Sequence, residues 1–294
     1  MSYVGRFAPS PIGPLHIGSL ATAVASYLHA RQAHGEWLVR IEDIDPPREV
    51  PGAAGSILHC LEALDLEWDR RVLYQSSRQE AYRAAAHRLL SLGRAFRCRC
   101  SRSEIRAGAE GPSARYPGTC RERSLPAQNT AIRARVEPGL VSVADQLQGT
   151  LQIDLGATSG DYVIVRRDGL PAYHLAVVLD DAEQGVTTIV RGVDLLDATA
   201  AHVHLQGALA LATPLYYHVP VVVNPQGQKL SKQTGAQPVA AGEPGVAARV
   251  LELLGLDVPH ELKAERPSLL WQWALARWNI DSLRGRHALA QRLS

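Results

Sequence analysis

The most constraining feature of the chain is a short strand that breaks into a proline-rich loop and then opens a helix. Tyr3–Phe7 reads as a buried strand, Ala8-Pro9-Ser10-Pro11 as the break and His16-Ile17-Gly18-Ser19 as the helix start. An Ala/Leu/Val/Tyr pattern at helical spacing then runs to His34. Trp37–Ile41 is the next strand, so the chain opens as β-α-β, the unit of a parallel doubly wound sheet. Where such a loop opens a helix, backbone N–H groups and the positive end of the dipole face one place, which suits an anion.

A second signal lies far downstream. Lys229-Leu230-Ser231-Lys232-Gln233 sits on a loop flanked by Pro225, Gly227 and Gly235. Two lysines three apart can fold over a triphosphate and stabilise the β- and γ-phosphates as pyrophosphate leaves. His16 can donate to a phosphate oxygen, and Gly18 lets a base or ribose approach the backbone. Each motif alone has a plainer reading, a surface lysine pair or a histidine that caps a helix. Together they point to one ATP site that activates a carboxylate as its adenylate.

Pro51 starts a further helix, and Arg78–Leu92 another that ends at Gly93. Segment 94–128 lacks periodicity and is rich in Arg, Ser, Gly, Pro and Cys. Ala131–Val136, Leu140–Val143 and Thr150–Leu155 read as strands, and Asp161–Val165 with the turn Asp168-Gly169 as a hairpin. Ala172–Leu179 fits a helix or a buried strand equally. Thr187–Val190 reads as a strand, Asp197–Leu211 as a helix and Tyr217–Val223 as a strand, while 239–254 and 268–293 read as helical.

Residues 94–135 hold ten arginines against three glutamates, a local charge of +7 in a chain whose net charge is +2. A basic segment on a neutral background neutralises phosphates at one place without binding polyanions everywhere; a solvated arginine-rich surface is the alternative. Three of the four cysteines, Cys98, Cys100 and Cys120, fall in this segment. Cys60 lies in an apolar helical pattern and reads as a core thiol. The clustered three suit zinc, which takes four tetrahedral ligands, and they leave one place open. A structural zinc would staple a module too poor in apolar residues to fold alone. No apolar run is long enough to span a bilayer and no secretion signal precedes the first motif, so a cytoplasmic protein without a membrane partner is expected.

The paired motifs resemble the two signatures of class I aminoacyl-tRNA synthetases. Gly5-Arg6-Phe7-Ala8-Pro9-Ser10-Pro11 and Arg40-Ile41-Glu42-Asp43-Ile44-Asp45 are similar to the glutamyl-tRNA synthetase branch. With Asp45-Pro46-Pro47-Arg48, the cysteine segment and Val190-Arg191-Gly192-Val193-Asp194-Leu195-Leu196, nearly the full length resembles its short bacterial paralogues, the glutamyl-queuosine tRNA(Asp) synthetases. Ser19 and Gln233 depart from the class pattern but fit those paralogues.

The resemblance implies an α/β fold: a Rossmann-like catalytic core with a zinc-bearing insertion and a small C-terminal helical segment, without an anticodon-binding domain. The expected divisions are 1–93 and 156–235 for the halves of the core, 94–155 for the insert and 236–294 for the helical end. It implies catalytic roles for His16, Gly18, Ser19, Lys229 and Lys232, with His16, Gly18, Lys229, Ser231 and Lys232 holding ATP and its Mg²⁺. Glutamate carries two carboxylates and an ammonium, which suit cationic forks and an anionic partner. The implied glutamate set is Arg6, Ala8, Ser10, Glu42, Tyr173 and Arg191; for Arg6 and Glu42 an internal ion pair is the structural alternative. Asp43, Asp45, Asp180 and Asp181 read as structural residues such as helix caps, with ribose contact the alternative. His174, His202, His204 and His218 read as core or supporting groups, and Trp271 and Trp273 as core, with base stacking the alternative. Tyr116 is implied as the fourth zinc ligand beside Cys98, Cys100 and Cys120, one zinc per chain; His87 is a poorer fit. The implied partners are L-glutamate and tRNA(Asp) bearing queuosine, and a monomer is expected. Transfer to another acceptor, a non-catalytic glutamate or adenylate sensor, and a pure RNA-binding module are the competing readings.

Overall fold

The computed structural model describes residues 2–107, 115–230 and 237–290. Strand β1 (Val4–Phe7) is followed by helix α1 (Ile17–Gln32) and by β2 (Glu36–Ile41), which lies parallel to β1 with Val4 beside Glu36. Helix α2 (Ala53–Ala63) leads to β3 (Leu73–Tyr74), parallel to the end of β2. β1 and β2 are buried along almost their whole length and so read as largely apolar runs.

Helix α3 (Gln79–Ser91) carries the chain away to β4 (Ala95–Cys98), α4 (Arg102–Ala107) and β5 (Ala131–Ala134). The hairpin β6 (Val141–Asp145) and β7 (Gly149–Ile153), the single turn α5 (Leu155–Thr158) and β8 (Val163–Val165) follow. Helix α6 (Tyr173–Glu183), β9 (Thr188–Gly192), α7 (Leu196–Leu209) and β10 (Leu215–Val219) complete the core, β9 and β10 running parallel. β11 (Val221–Val223), α8 (Val246–Leu253), α9 (Pro267–Leu275) and β12 (Ala288–Ala290) follow, β11 and β12 pairing in parallel.

β1 abuts the start of β9: the Thr187 N–H donates to the Val4 carbonyl at 2.9 Å, and the Val4 N–H to the Thr187 hydroxyl at 2.9 Å. The strands therefore lie side by side as β3, β2, β1, β9, β10, β6, β7. Val4, Leu38, Val186, Ile189 and Tyr216 seal the junction as one apolar cluster. Chain order reverses between β1 and β9, and open α/β sheets bind ligands outside the carboxyl ends of strands at such a switch point.

The structure differs from the sequence expectation in several places. The stretch 94–155 is shared by two sheets: β4 and β5 pair with β8 from beyond residue 155, whereas β6 and β7 extend the core sheet past β10. Strand periodicity marks which residues alternate, not which sheet they join. Tyr217–Val223 is two strands broken at Pro220, which has no N–H for a ladder. In 239–254 the helix begins only at Val246, because Gly242 and Gly245 take left-handed turns with φ of 75° and 72°. Beyond Leu275 the expected helix gives way to a 3-10 turn at Ile280–Leu283 and then β12, with Asn279 capping the turn and Gly285 at φ 68°. The ambiguous Ala172–Leu179 belongs to α6.

Trp271 is core, its indole N–H donating to the Leu64 carbonyl, while half-buried Trp273 lies under Arg277. Among the described residues no helix is long and apolar enough to cross a membrane.

Candidate active site

Two adjoining cavities open at the switch point, and both are lined by Ser10 and Ile12 from the loop after β1. The smaller, about 280 Å³, brings His16, Gly18 and Ser19 at the start of α1 together with Asp194 after β9 and Lys229 after β11. His16 is the N-cap of α1: its Nδ1 accepts the backbone N–H groups of Gly18 at 3.2 Å and Ser19 at 3.3 Å. The plainer reading of this histidine is thus realised, and it sharpens the functional one. An Nδ1 that accepts leaves the ring proton of a neutral imidazole on Nε2, the tautomer that donates outward. Ser19 completes a capping box, its hydroxyl accepting the His16 N–H at 3.0 Å. A Cβ at Gly18 would stand 3.1 Å from the His16 ring, so glycine here makes room for the histidine.

Lys229 Nζ meets Asp194 Oδ2 at 2.6 Å. The Leu230 N–H donates to the Val222 carbonyl, and on the far side of the loop the Val239 N–H donates to the Leu15 carbonyl and Pro238 bridges His16. Both described ends of the lysine loop are therefore fastened beside the His16 turn. Ser231, Lys232 and Gln233 lie outside the described residues.

The larger cavity, about 840 Å³, carries Glu42 and Tyr173 on its inner wall and reaches Cys100, Ser101 and Arg102 on the insert. Behind that wall, Asp181 Oδ1 takes Arg6 Nε at 3.1 Å and Arg40 at 2.8 Å, and Arg40 also stands 3.5 Å from Glu42. All four are buried. The internal ion-pair alternative for Arg6 and Glu42 is observed, with Arg40 and Asp181 as partners that the sequence reading gave no such role. Arg6 uses Nε, and among the described residues its terminal nitrogens take no protein acceptor, but Arg6 itself lines neither cavity. Arg191 differs: Nε donates to His218, one terminal nitrogen to His202 and Tyr173, the other to Thr199 and the Leu195 carbonyl. All five of its N–H groups are directed at protein, and Arg191 lines neither cavity, although its neighbour Tyr173 lines the larger one. Ala8 follows β1 and lines neither cavity.

Burial, aided by Asp181, pushes the Glu42 carboxyl above its ordinary value against the pull of Arg40 and Arg6. A carboxyl raised in the fold favours the fold when protonated and opposes it as pH rises through that value. If ionised Glu42 holds an ammonium, the KM for glutamate rises as pH falls, beginning above the ordinary carboxylate range, and Glu42→Gln abolishes this dependence while raising the melting temperature. A KM flat down to pH 4.5, the ordinary glutamate value, would contradict that role.

The insert holds the metal candidates. Cys98, Cys100 and Cys120 place their Sγ atoms within 4.8 Å of one another, Cys100 and Cys120 at 3.6 Å. Tyr116 brings its hydroxyl 3.4 Å from Cys98 Sγ and accepts the Cys120 N–H at 2.8 Å. A tetrahedral zinc with Zn–S near 2.3 Å requires S···S edges of roughly 3.8 Å, so this donor set fits. His87 lines a separate groove with Phe96 and Arg123. Burial and the neighbouring thiols push the Cys100 thiol up to about 11, a cost that a bound cation offsets. The module's own apolar cluster is small: Phe96, Cys98, Ile105, Tyr116 and Cys120, with Cys100 and Leu125 against it. One zinc per chain is expected; Cys120→Ser lowers zinc content, measured by atomic absorption, and lowers RNA charging more than pyrophosphate exchange. Full occupancy in that variant would remove Cys120 from the ligand set.

The family model for the catalytic domain of class I tRNA synthetases (E and Q) matches residues 3–243. The chain is 51% identical over 282 residues to the glutamyl-Q tRNA(Asp) synthetase of Aromatoleum aromaticum, covering 95% of this chain and 89% of that one. It is 47% identical over 291 residues to the one from Ectopseudomonas mendocina, covering 99% and 98%. The chain belongs to the glutamyl-Q tRNA(Asp) synthetases. It is therefore a ligase of the class I synthetase type, with a glutamyl-tRNA synthetase-like function. In fold it superposes on a crystal structure of a glutamate tRNA ligase from Elizabethkingia meningosepticum with a TM-score of 0.82 and 24% identity, covering 99% of this chain and 68% of that one.

In this glutamyl-Q tRNA(Asp) synthetase family member the basic insert does two jobs. Arg121 pairs with Glu137, Arg135 with Glu122, and Arg133 lies 4.0 Å above the Tyr116 ring, so these three hold the module together. Arg102 and Arg133 also line the larger cavity, with Arg48, Arg166 and Arg167 from outside the insert. Sequence reasoning missed Arg40. Its only signal is a buried charge inside an apolar strand, which implies a partner without naming it.

Proposed function

We propose that the protein activates L-glutamate with ATP as glutamyl-adenylate and transfers the glutamyl group to queuosine at the wobble position of tRNA(Asp). The observation that carries this reading is the shared wall at Ser10 and Ile12 between a phosphate-directed cavity and a cavity suited to an amino acid. Glutamate's α-carboxylate would sit at the junction, with its ammonium on Glu42 and its side-chain carboxylate facing Tyr173 and the charges of Arg6 and Arg191. The carboxylate oxygen attacks the α-phosphorus and the bond to the bridging oxygen breaks, releasing pyrophosphate. His16 Nε2–H and Lys229, with Lys232 as a further cation, meet the charge that develops; the Mg²⁺ that accompanies ATP screens the phosphates. No protein nucleophile is required, so catalysis is positioning and charge stabilisation.

The names of the relatives, glutamyl-Q tRNA(Asp) synthetases, support tRNA(Asp) as the acceptor. A hydroxyl of the queuosine cyclopentenediol attacks the glutamyl carbonyl carbon, and AMP departs. The larger cavity, running from Glu42 to the metal module, is the place for that base, and its arginines suit the flanking phosphates. Both cavities lie within one chain, so a monomer suffices. Radiolabelled glutamate should become attached to queuosine-bearing tRNA(Asp), in a form sensitive to periodate pretreatment of the diol, and not to tRNA(Asp) lacking queuosine. Charging of the 3′ end of tRNA(Glu) instead would sink the assignment, and absence of glutamate-dependent exchange would leave a sensor.

A further inference from the structure

We infer that Asp145 and His218 form a buried positioning pair that orients Arg191 and thereby sets the enzyme's preference for glutamate over uncharged analogues; this rests on the proposed role of Arg191 in the glutamate site. His218 lies on β10 directly beside Arg191 on β9, in register across the parallel ladder. Asp145 ends β6 and stands opposite Tyr216 of β10 in the parallel ladder. His218 Nδ1 meets Asp145 Oδ2 at 2.6 Å, and His218 Nε2 accepts Arg191 Nε at 3.0 Å. Both His218 and Asp145 side chains are fully buried.

The direction of each hydrogen bond fixes the chemistry. A guanidinium donates only, so Nε2 of His218 must present its lone pair to Arg191. A neutral ring then carries its proton on Nδ1, and the carboxylate acceptor there selects this tautomer. Asp145 thus presents Arg191 with an acceptor of fixed orientation and a negative charge one ring away. Thr199 stands 2.7 Å from a terminal nitrogen of Arg191 and 3.1 Å from His218 Nε2, which closes the fork on its other side. With its plane fixed, Arg191 stands 3.5 Å from the hydroxyl of Tyr173, a residue that lines the cavity.

Asp145 also accepts the Leu147 and Gln148 N–H groups, so it shapes the β6–β7 turn as well. Substitution at His218 separates the two roles because it leaves those contacts in place. His218→Phe preserves a ring stacked on Tyr216 but removes the acceptor; His218→Gln keeps an oxygen that can accept from Arg191 Nε. Pyrophosphate exchange is measured with glutamate, glutamine and ATP each varied, alongside melting temperatures. His218→Phe and Asp145→Asn should raise the KM for glutamate about tenfold, the loss of one oriented charged hydrogen bond. The KM for ATP stays unchanged, the preference for glutamate over glutamine falls, and His218→Gln recovers most of the loss. A purely structural role would move both KM values together or leave both at wild type, which overturns the inference, and His218→Phe too unstable to assay leaves His218→Gln and Asp145→Asn to decide. Arg191→Gln is the control. If it too leaves glutamate KM unchanged, the glutamate-site reading fails first; if it alone raises KM, only the pair is refuted.

Discussion

Replacement of His16 by Asn is expected to lower glutamate-dependent ATP–pyrophosphate exchange by about 10²–10³-fold, the typical loss on removing one preorganised donor to a developing anion. The melting temperature should barely move. Asn is among the preferred N-cap residues, and its side-chain oxygen can replace Nδ1 as acceptor for the Gly18 and Ser19 N–H groups. What Asn lacks is a second ring nitrogen pointing away from the cap. The variant therefore keeps the helix start and removes the outward donor. His16→Ala removes both and should also lose about 1 kcal/mol of stability. Equal exchange in wild type and His16→Asn would reduce His16 to a cap and leave Lys229 and Lys232 to carry the phosphate chemistry alone. The two substitutions separate readings that the sequence left in competition: the cap rests on Nδ1, and the proposed phosphate donor is Nε2.

The parts of the site legible in the sequence are those built from neighbours in the chain. The strand–loop–helix at 4–32 and the His16 turn are local, and β1, α1 and β2 fall within a residue or two of their expected limits. The cysteine cluster was readable for a related reason: Cys98 and Cys100 are two apart, and Tyr116 and Cys120 lie on one short loop. What could not be read was pairing over long separations. Arg40 in its apolar strand and Asp181 in its helix give no sign of one another until β2 and α6 bury them together. β6 looked like insert because it follows β5 in the chain, yet it belongs to the core sheet, where it delivers Asp145 to His218. Arg191 could be recognised from its motif, but not the fact that its donors are already engaged by protein. That depends on which histidines the fold packs around it.

Asp181 shows how tightly the site and the fold are joined. Its carboxylate lies between the guanidinium groups of Arg6 and Arg40, all three being buried. Burial alone would raise its pKa, but Arg40 and then Arg6 outweigh that and hold it below the ordinary carboxylate range. A depressed carboxyl contributes stability above its unfolded pKa and loses it as pH falls through the folded one. Asp181→Leu leaves two buried cations without their shared anion, and breaking a buried pair this way costs about 3–5 kcal/mol. For a chain of this size that is a fall in melting temperature of roughly 10 °C. Adding Arg40→Met to Asp181→Leu should recover part of the loss, because it removes one of the stranded charges rather than supplying a contact. Asp181→Asn, which can still accept a hydrogen bond, should fall between wild type and Asp181→Leu and flatten the acid limb of the stability profile. Thermal melts across pH check all three. If Asp181→Leu melts with wild type, water or ligand-site counter-ions already compensate Arg6 and Arg40, and Arg6 is then less rigidly held for a carboxylate than its burial implies. If the melt falls but the double variant recovers stability without recovering exchange, Arg40 and Asp181 serve the glutamate pocket by fixing Arg6 and Glu42, and the network exists to orient charge rather than to stabilise the sheet.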